Sequence, residues 1–276
     1  MFGAIIGDIV GAPYEYKENK DKDFKPFFPK TGFTDDSIHV TAVCEWLTSR
    51  HGRTPENLIE IMEKWYLRYP DADYGGMFRR WVTGPDLHTP YGSYGNGAAV
   101  RATPIGLFAT GLEECYELAE ISASITHNHP EGIKGAKATA FCVYTMKELK
   151  GKITKKKAST KLGMDARTLF NYAGKPVEEL RDSYGYDDTC QGTVPQAIRC
   201  FQESTSFTDA IRNAVSIGGD ADTLAAITGA VAEAWYGIPY LLKLRAQMKI
   251  RSLDAEMYAI IKEFYKACIT RENQNK

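Results

Sequence analysis

The feature that most constrains the fold is the spacing of apolar residues, which recur at helical intervals along almost the whole chain. Within the first predicted helix, glycines recur every four residues, at Gly3, Gly7 and Gly11. A stripe of glycines allows another backbone to approach closely. Runs of alternating Val, Ile and Thr joined by hairpin turns are missing from the sequence, so we expect no sheet. Further helices are predicted over 37–50, 55–69, 98–110, 113–126, 132–149, 194–203, 208–216, 224–236 and 254–270.

Length and charge narrow the class of protein. A chain of 276 residues can bury a large core without disulfides, and with no long linker or repeat we expect one domain over 1–276. The 34 Lys and Arg residues nearly balance the 35 Asp and Glu residues, for a net charge of −1. A protein that binds long nucleic acids is normally visibly basic, so we do not expect that partner. The lysine-rich stretch 150–157 is predicted to be a solvated loop.

The cysteines and the apolar segments bear on the compartment. The six cysteines form no C-x-x-C pair, which argues against a zinc knuckle or a redox motif, and scattered thiols fit a reducing cytoplasm. The apolar start of the chain has no basic segment before it and is interrupted by Asp8, which argues against a signal peptide. No uncharged apolar stretch of about 18 residues exists, so we expect no membrane span. We expect a cytoplasmic monomer.

Two acidic clusters, residues 34–37 (TDDS) and 218–223 (GGDADT), stand directly before predicted helices. Asp, Thr and Ser commonly cap helix N-termini, and capping alone explains either cluster. Adjacent carboxylates repel one another, however, and keeping both ionised in a folded site usually requires a cation. Carboxylate and hydroxyl oxygens suit Mg²⁺, Mn²⁺ or Ca²⁺ and not zinc. If the clusters converge, they are able to hold a pair of metal ions.

A third acidic pair, Asp187 and Asp188, precedes Thr189 without flanking glycines. We interpret this pair as an ordinary helix cap or surface pair.

A glycine-rich loop at 91–97 (YGSYGNG) leads into a predicted helix. Such a turn offers backbone N–H groups to an anion, although it is neither a Walker A sequence nor a dinucleotide fingerprint. A flexible loop is the alternative interpretation. His127 and His129 follow a helix end without a third soft ligand nearby, so hydrogen bonding or stacking toward a ligand is favoured for His127 over metal ligation.

Five segments together resemble the ADP-ribosylglycohydrolases, which include the dinitrogenase reductase-activating glycohydrolases and the ADP-ribosylserine and ADP-ribosylarginine hydrolases. They occur in the family's order, as 7–15 (GDIVGAPYE), 34–37 (TDDS), 93–101 (SYGNGAAVR), 126–130 (THNHP) and 218–223 (GGDADT). The resemblance implies a single-domain, all-α orthogonal helical bundle with two Mg²⁺ ions, Mn²⁺ being possible. It also implies cleavage of the glycosidic bond between ADP-ribose and an acceptor, with an ADP-ribosylated protein or other acceptor as substrate and ADP-ribose as product.

The resemblance also implies roles for particular residues. The implied metal ligands are Thr34, Asp35, Asp36, Asp220, Asp222 and Thr223. The implied catalytic acids, between which the sequence does not choose a general base, are Glu15, Asp35 and Asp73. The residues implied to bind the pyrophosphate, the ribose and the adenosine end are Ser93, Tyr94, Gly95, Asn96, Gly97 and His127.

Departures from the family pattern leave some roles open. Ser37 stands where the family usually has Thr, and a hydroxyl is retained. The aromatic residue that stacks on adenine is not evident, and His88 or Tyr91 could serve. Asp8 falls off the apolar face of its helix, so a surface role and a packing role both remain open. The acceptor is not determined by these motifs.

Two other functions compete with the enzymatic one. A catalytically silent ADP-ribose binder or a crystallin-like structural protein should have lost acids from one cluster, whereas this sequence keeps both, which favours an enzyme. A metal-dependent phosphohydrolase acting on a nucleotide would differ in its product, since it would release AMP where a glycosidic cut releases free ADP-ribose.

Overall fold

The computed structural model describes residues 1–25, 27–85 and 87–274, and over these residues the secondary structure is helical, without β-strands. The predicted all-α class is therefore confirmed. A short 3₁₀ turn at Ala12–Tyr14 follows the first helix. In chain order the α-helices are α1 (Phe2–Gly11), α2 (Asp35–Thr48), α3 (Pro55–Arg68), α4 (Gly76–Thr83), α5 (Gly97–Arg101), α6 (Thr103–Phe108), α7 (Leu112–Ser124), α8 (Pro130–Leu149), α9 (Lys155–Phe170), α10 (Val177–Ser183), α11 (Cys190–Gln202), α12 (Phe207–Ser216), α13 (Ala221–Tyr236), α14 (Tyr240–Leu253) and α15 (Ala255–Gln274).

The structure differs from the sequence prediction in several helices. The helix predicted over 98–110 is two short helices, α5 and α6, because Pro104 lies in the first turn of α6 and has no N–H to continue α5. Helices α4, α9, α10 and α14 were not predicted. The stretch 150–157 is a loop only as far as Thr154, whose hydroxyl accepts from Lys157 N and caps α9. Lys155 is therefore helical, and its Nζ donates to the carbonyls of Phe201 and Gln202 at the end of α11.

The glycine stripe of α1 packs against the backbone of α13. A Cβ added at Gly7 would overlap the carbonyl group of Ala225, and one at Gly11 would overlap the backbone of Asp222. Gly3 meets Gly229 in the same way. Because the stripe lets the two helices touch, it fixes α1 against the helix that carries the second acidic cluster.

Gly7→Ala is expected to destabilise the protein by about 1–3 kcal/mol, because the added methyl group can be accommodated only by separating α1 from α13. For a domain of this size we expect the melting temperature to fall by about 2–4 °C per kcal/mol. Gly32→Ala is the matched control, since a Cβ at Gly32 would meet nothing within 4 Å and should leave the melting temperature almost unchanged. Coincident melting curves for Gly7→Ala and wild type would contradict this account.

The packing brings the starts of two long helices to one place. Helix α2 begins at the first acidic cluster, and α13 begins within the second. The glycine-rich loop is joined to the start of α11 by an isolated β-bridge between Gly95 and Thr189.

The six cysteines are buried free thiols. No helix in the described ranges is both long and apolar enough to cross a membrane.

Candidate functional site

The two acidic clusters meet in a cavity of about 300 Å³. Thr223 in the first turn of α13 donates from Oγ1 to Asp36 Oδ2 of α2 at 2.7 Å, so the clusters touch directly. The cavity is lined by Glu15, Tyr16, Asp35, Asp36, His39, Asp73, Gly75, Gly76, Met77, Phe78, Tyr91, Ser93, Gly95, Asn96, Gly97, Arg101, His127, Tyr186, Asp188, Asp220, Asp222 and Thr223.

Asp8 holds the start of α2 in position. Its side chain is fully buried, and its carboxylate accepts from the backbone N and the hydroxyl of Thr34, the latter at 2.9 Å. It also accepts from the backbone N of Ser37 at 3.1 Å and from the Ser37 hydroxyl. Of the two roles left open by the sequence, the structure therefore assigns Asp8 the packing role. Thr34 in turn accepts from Asp36 N and caps α2, which orients Asp35 and Asp36 toward the cavity.

The start of α13 is shaped by two consecutive glycines. Gly218 and Gly219 have φ values of +76° and +73°, in the left-handed region that favours glycine. A side chain at Gly219 would also overlap the ring of Tyr184. The chain leaves this turn at Asp220, whose Oδ2 accepts from Asn96 Nδ2 at 2.7 Å. Asn96, predicted to bind substrate, therefore orients an acid of the site.

Glu15 joins the second cluster from a distant part of the chain. Oxygen atoms of Glu15, Asp220 and Asp222 all lie within 4.8 Å of one another, a spacing that suits a metal ion. Burial, together with the negative charges of Asp220 and Asp73, raises the pKa of Glu15 to about 6. Glu15 was predicted to be a catalytic acid, and its position beside Asp220 and Asp222 also makes it a candidate metal ligand.

Acidic side chains outnumber basic ones in the lining of the cavity. From the part of the chain that the structure describes, seven carboxylates and one guanidinium line it. Burial first, and repulsion from neighbouring carboxylates second, raise the pKa values of Asp35, Asp36 and Asp222 well above the ordinary range. Among the described residues, no Lys or Arg forms an ion pair with Asp36. Buried, mutually repelling oxygen ligands of this kind fit a hard divalent cation such as Mg²⁺ or Mn²⁺.

The glycine-rich loop forms the opposite wall of the cavity. Ser93, Gly95 and Gly97 line it, whereas the ring of Tyr94 packs on His129 with 5.1 Å between centroids, and Tyr94 is not among the lining residues. Several loop N–H groups that were predicted to face an anion are bound within the protein. Gly95 N donates to Ser93 Oγ and Asn96 N donates to the Asp188 carbonyl. These two N–H groups are therefore not free to face an anion.

His127 lies against this loop. Its Nε2 lies 3.5 Å from the point where a Cβ on Gly95 would stand. Tyr91 lies beside it, with 5.9 Å between ring centroids, and also lines the cavity. His88, the other aromatic residue considered for adenine stacking, packs on Trp81 and lines a separate groove with Ile59.

Asp73 lies on the cavity wall as the sequence analysis expected of a catalytic acid, next to the start of α4. The two residues of the third acidic pair, Asp187 and Asp188, have different roles. Asp187 Oδ1 accepts from Thr189 N at 2.9 Å, and Thr189 caps α11, as the cap prediction requires. Asp188, however, lines the cavity. No pattern in the sequence distinguished Asp188 from an ordinary cap residue.

The lining residues that were not predicted from the sequence include Tyr16, His39 and Tyr186. Tyr16 and Tyr186 stack at the mouth with 5.8 Å between ring centroids, and both are exposed. His39 is buried against Phe78, and neither of its ring nitrogens has a hydrogen-bond partner in the part of the chain that the structure describes. His39 lies one turn after Asp35 on α2, and that spacing was the available signal.

Comparisons with known proteins show which family and fold the chain resembles. A family model described as ADP-ribosylglycohydrolase matches residues 1–274. The chain is 25% identical over 306 residues to the ADP-ribosylhydrolase ARH3 of Homo sapiens, covering 86% of this chain and 84% of that protein. It is 25% identical over 291 residues to the ADP-ribosylarginine hydrolase Tri1 of Serratia proteamaculans (strain 568), covering 95% and 79%. A solved structure titled "ADP-ribosylglycohydrolase-related protein complex" has a TM-score of 0.69 at 21% identity and covers 97% of each chain, which shows the shared fold.

Proposed function

Because the chain belongs to the ADP-ribosylglycohydrolase family, we propose that it is a metal-dependent hydrolase that removes ADP-ribose from an acceptor and so reverses mono-ADP-ribosylation. The observation that carries the proposal is the convergence of the two acidic clusters. Thr223 donates to Asp36 across the cavity at 2.7 Å, and Glu15 meets Asp220 and Asp222 within 4.8 Å. A silent binding protein would not need to keep so many repelling carboxylates together.

The oxygen donors fit two Mg²⁺ ions, with Mn²⁺ as a substitute. The residues proposed to hold them are Thr34, Asp35, Asp36, Asp220, Asp222 and Thr223, with Glu15 as a further candidate on grounds of position. When bound, such ions supply a fixed orientation of the ribose hydroxyl groups and a polarised water.

The chain's own carboxylates support the bond cleavage electrostatically. Glycosidic cleavage passes through a transition state with oxocarbenium character, in which positive charge develops on the sugar. A cavity lined by seven carboxylates stabilises that charge where it forms. Glu15, with its pKa raised to about 6, suits proton transfer near neutral pH, and Asp35 and Asp73 are the alternative general bases.

The other lining residues either hold the acids in place or are proposed to bind the rest of the ligand. Asn96 holds Asp220 through its amide, and Thr223 holds Asp36 through its hydroxyl, so the acids keep fixed directions. His127 and Ser93 face the same space from the other wall and are the proposed donors to the pyrophosphate. Tyr91, beside His127, is the proposed aromatic contact for the adenosine end.

The possible activities differ in the acceptor, the group from which ADP-ribose is removed. The names of the relatives specify an ADP-ribosylhydrolase and an ADP-ribosylarginine hydrolase. The candidate acceptors are serine, arginine, a nucleobase and a small molecule. Incubation with Mg²⁺ and a panel of serine-, arginine- and nucleobase-linked ADP-ribose should release free ADP-ribose from at least one member. Asp35→Ala and Asp220→Ala should abolish that release. Equal release by wild type and both variants, or no release from any member, would refute the proposal.

A further inference from the structure

A fully buried arginine lies under the wall formed by the glycine-rich loop. Arg101, at the end of α5, has no exposed surface, and its Nη2 donates to the Ser122 carbonyl at 2.7 Å and to Thr126 Oγ1 at 2.6 Å. Among the described residues it forms no ion pair with a carboxylate, and its Nε and Nη1 have no partner. Burial lowers the pKa of Arg101 only to about 10, so it stays charged. A buried cation without a carboxylate partner is costly.

The hydroxyl of Thr126 links this arginine to His127. Thr126 Oγ1 lies 2.7 Å from His127 Nδ1, and both groups are buried. A hydroxyl has one hydrogen to donate, and the arginine can only donate to it. With one lone pair engaged by the guanidinium, the hydroxyl still has its hydrogen for His127 Nδ1, and in that arrangement Nδ1 accepts.

A neutral imidazole whose Nδ1 accepts carries its hydrogen on Nε2. Burial first and the charge of Arg101 second lower the pKa of His127 well below its usual value, so the ring is neutral near pH 7. Nε2 points toward the space beside the glycines of the loop, which have no side chains. It lies 3.5 Å from the position that a Cβ on Gly95 would take and 3.8 Å from that of a Cβ on Gly97. The hydrogen bonds of the described residues include none to this atom.

We propose that Arg101 and Thr126 are positioning residues that hold His127 as its Nε2–H tautomer, so that this N–H donates to an oxygen of the ADP-ribose diphosphate. The identity of the ligand rests on the proposed function, whereas the tautomer does not. Phosphate oxygens accept hydrogen bonds and do not donate them, so the opposite tautomer would present a lone pair to an anion. Arg101 also lines the cavity, and its proposed effect on His127 is transmitted through Thr126.

The tautomer is tested directly by nitrogen-15 NMR of histidine-labelled protein without ligand, with the signal assigned by its loss in His127→Gln. Wild type should show a protonated Nε2 and an unprotonated Nδ1. Thr126→Val, which keeps the shape but removes the hydroxyl, should show a mixture of tautomers, and Thr126→Ser should restore the wild-type signal. A protonated Nδ1 in wild type, or an unchanged signal in Thr126→Val, would overturn the proposal.

Binding of ADP-ribose, measured by calorimetry, tests the consequence. Thr126→Val should weaken binding about tenfold, the size of one lost hydrogen bond to a charged group, whereas Thr126→Ser should retain the affinity. In a His127→Ala background the same Thr126→Val change should have no further effect, because its path to the ligand is gone. An equal loss in both backgrounds would indicate packing alone and would overturn the positioning role.

Arg101→Met tests the other end of the chain of hydrogen bonds, and it should also mix the tautomers of His127. Because Arg101 is buried, the melting curve of the Arg101→Met variant is recorded first. If this variant does not fold, Thr126→Val and Thr126→Ser decide the question. With an active substrate from the panel, Thr126→Val should raise KM about tenfold and change kcat little, as expected for a ground-state contact. Failure of wild type to bind ADP-ribose would refute the proposed function, while the NMR result would still decide the positioning role.

Discussion

Asp222→Asn is expected to lower kcat/KM by on the order of a thousandfold, equivalent to about 4 kcal/mol of transition-state stabilisation. The side chain keeps its size and loses only its charge. Its carboxylate lies within 4.8 Å of oxygen atoms of Glu15 and Asp220, and no other change to the cavity is expected. Binding of Mn²⁺, followed by calorimetry, should be lost at one or both sites, because an amide is a much weaker ligand for a hard cation than a carboxylate.

Two companion variants sharpen this prediction. Thr223→Val removes the hydroxyl that donates to Asp36 and should lower activity about 10–100-fold, the usual effect of losing a group that orients a ligand. Asp182→Asn changes an exposed aspartate of α10 and should leave kcat/KM and Mn²⁺ binding as in wild type. If Asp222→Asn retained wild-type activity, the acids would not form the reactive centre.

Divalent cations are expected to stabilise the protein strongly. Acids whose pKa is raised by folding destabilise the fold once they ionise, so the cation-free protein carries this strain near neutral pH. A ligand present at 100 times its Kd adds about 2.7 kcal/mol, and a protein of this size gains about 2–4 °C per kcal/mol. Mn²⁺ or Mg²⁺ should therefore raise the melting temperature by roughly 5–10 °C over that in EDTA, and EDTA should abolish activity.

Asp222→Asn is expected to respond to the cation differently from wild type. In EDTA, Asp222→Asn should melt above wild type, because one of the repelling carboxylates is gone. Added Mn²⁺ should stabilise it much less than wild type. Asp182→Asn should behave as wild type in both buffers. A wild-type melting temperature that does not respond to either cation would contradict a metal site in this cavity.

The sequence predicted the elements whose local signals are strong. Helical periodicity gave the all-α class, and the glycine stripe of α1 indicated a close helix contact, although not that α13 was the partner. The acidic clusters could be located because each stands at the start of a helix, where cap residues are recognisable. Their convergence rested on the resemblance, since spacing within each cluster carries no information about the distance between α2 and α13.

The residues that were missed depend on long-range packing or weak local patterns. Asp188 resembled an ordinary cap residue, yet its main-chain carbonyl is bound by Asn96 N and its side chain faces the cavity. The orientation of Asn96 toward Asp220 likewise joins positions far apart in the sequence. Helices α9 and α14 expose much of their surface, so their apolar residues do not form a clear stripe. The break between α5 and α6 was detectable from Pro104.

The most direct test of the central claim is the identity of the products released from a single ADP-ribosylated peptide in the presence of Mg²⁺, determined by mass spectrometry. The account predicts free ADP-ribose together with the unmodified peptide from a substrate that the panel identifies as active, and neither product with Asp222→Asn. AMP together with a peptide that retains phosphoribose would mean that the pyrophosphate bond had been cut and would contradict it.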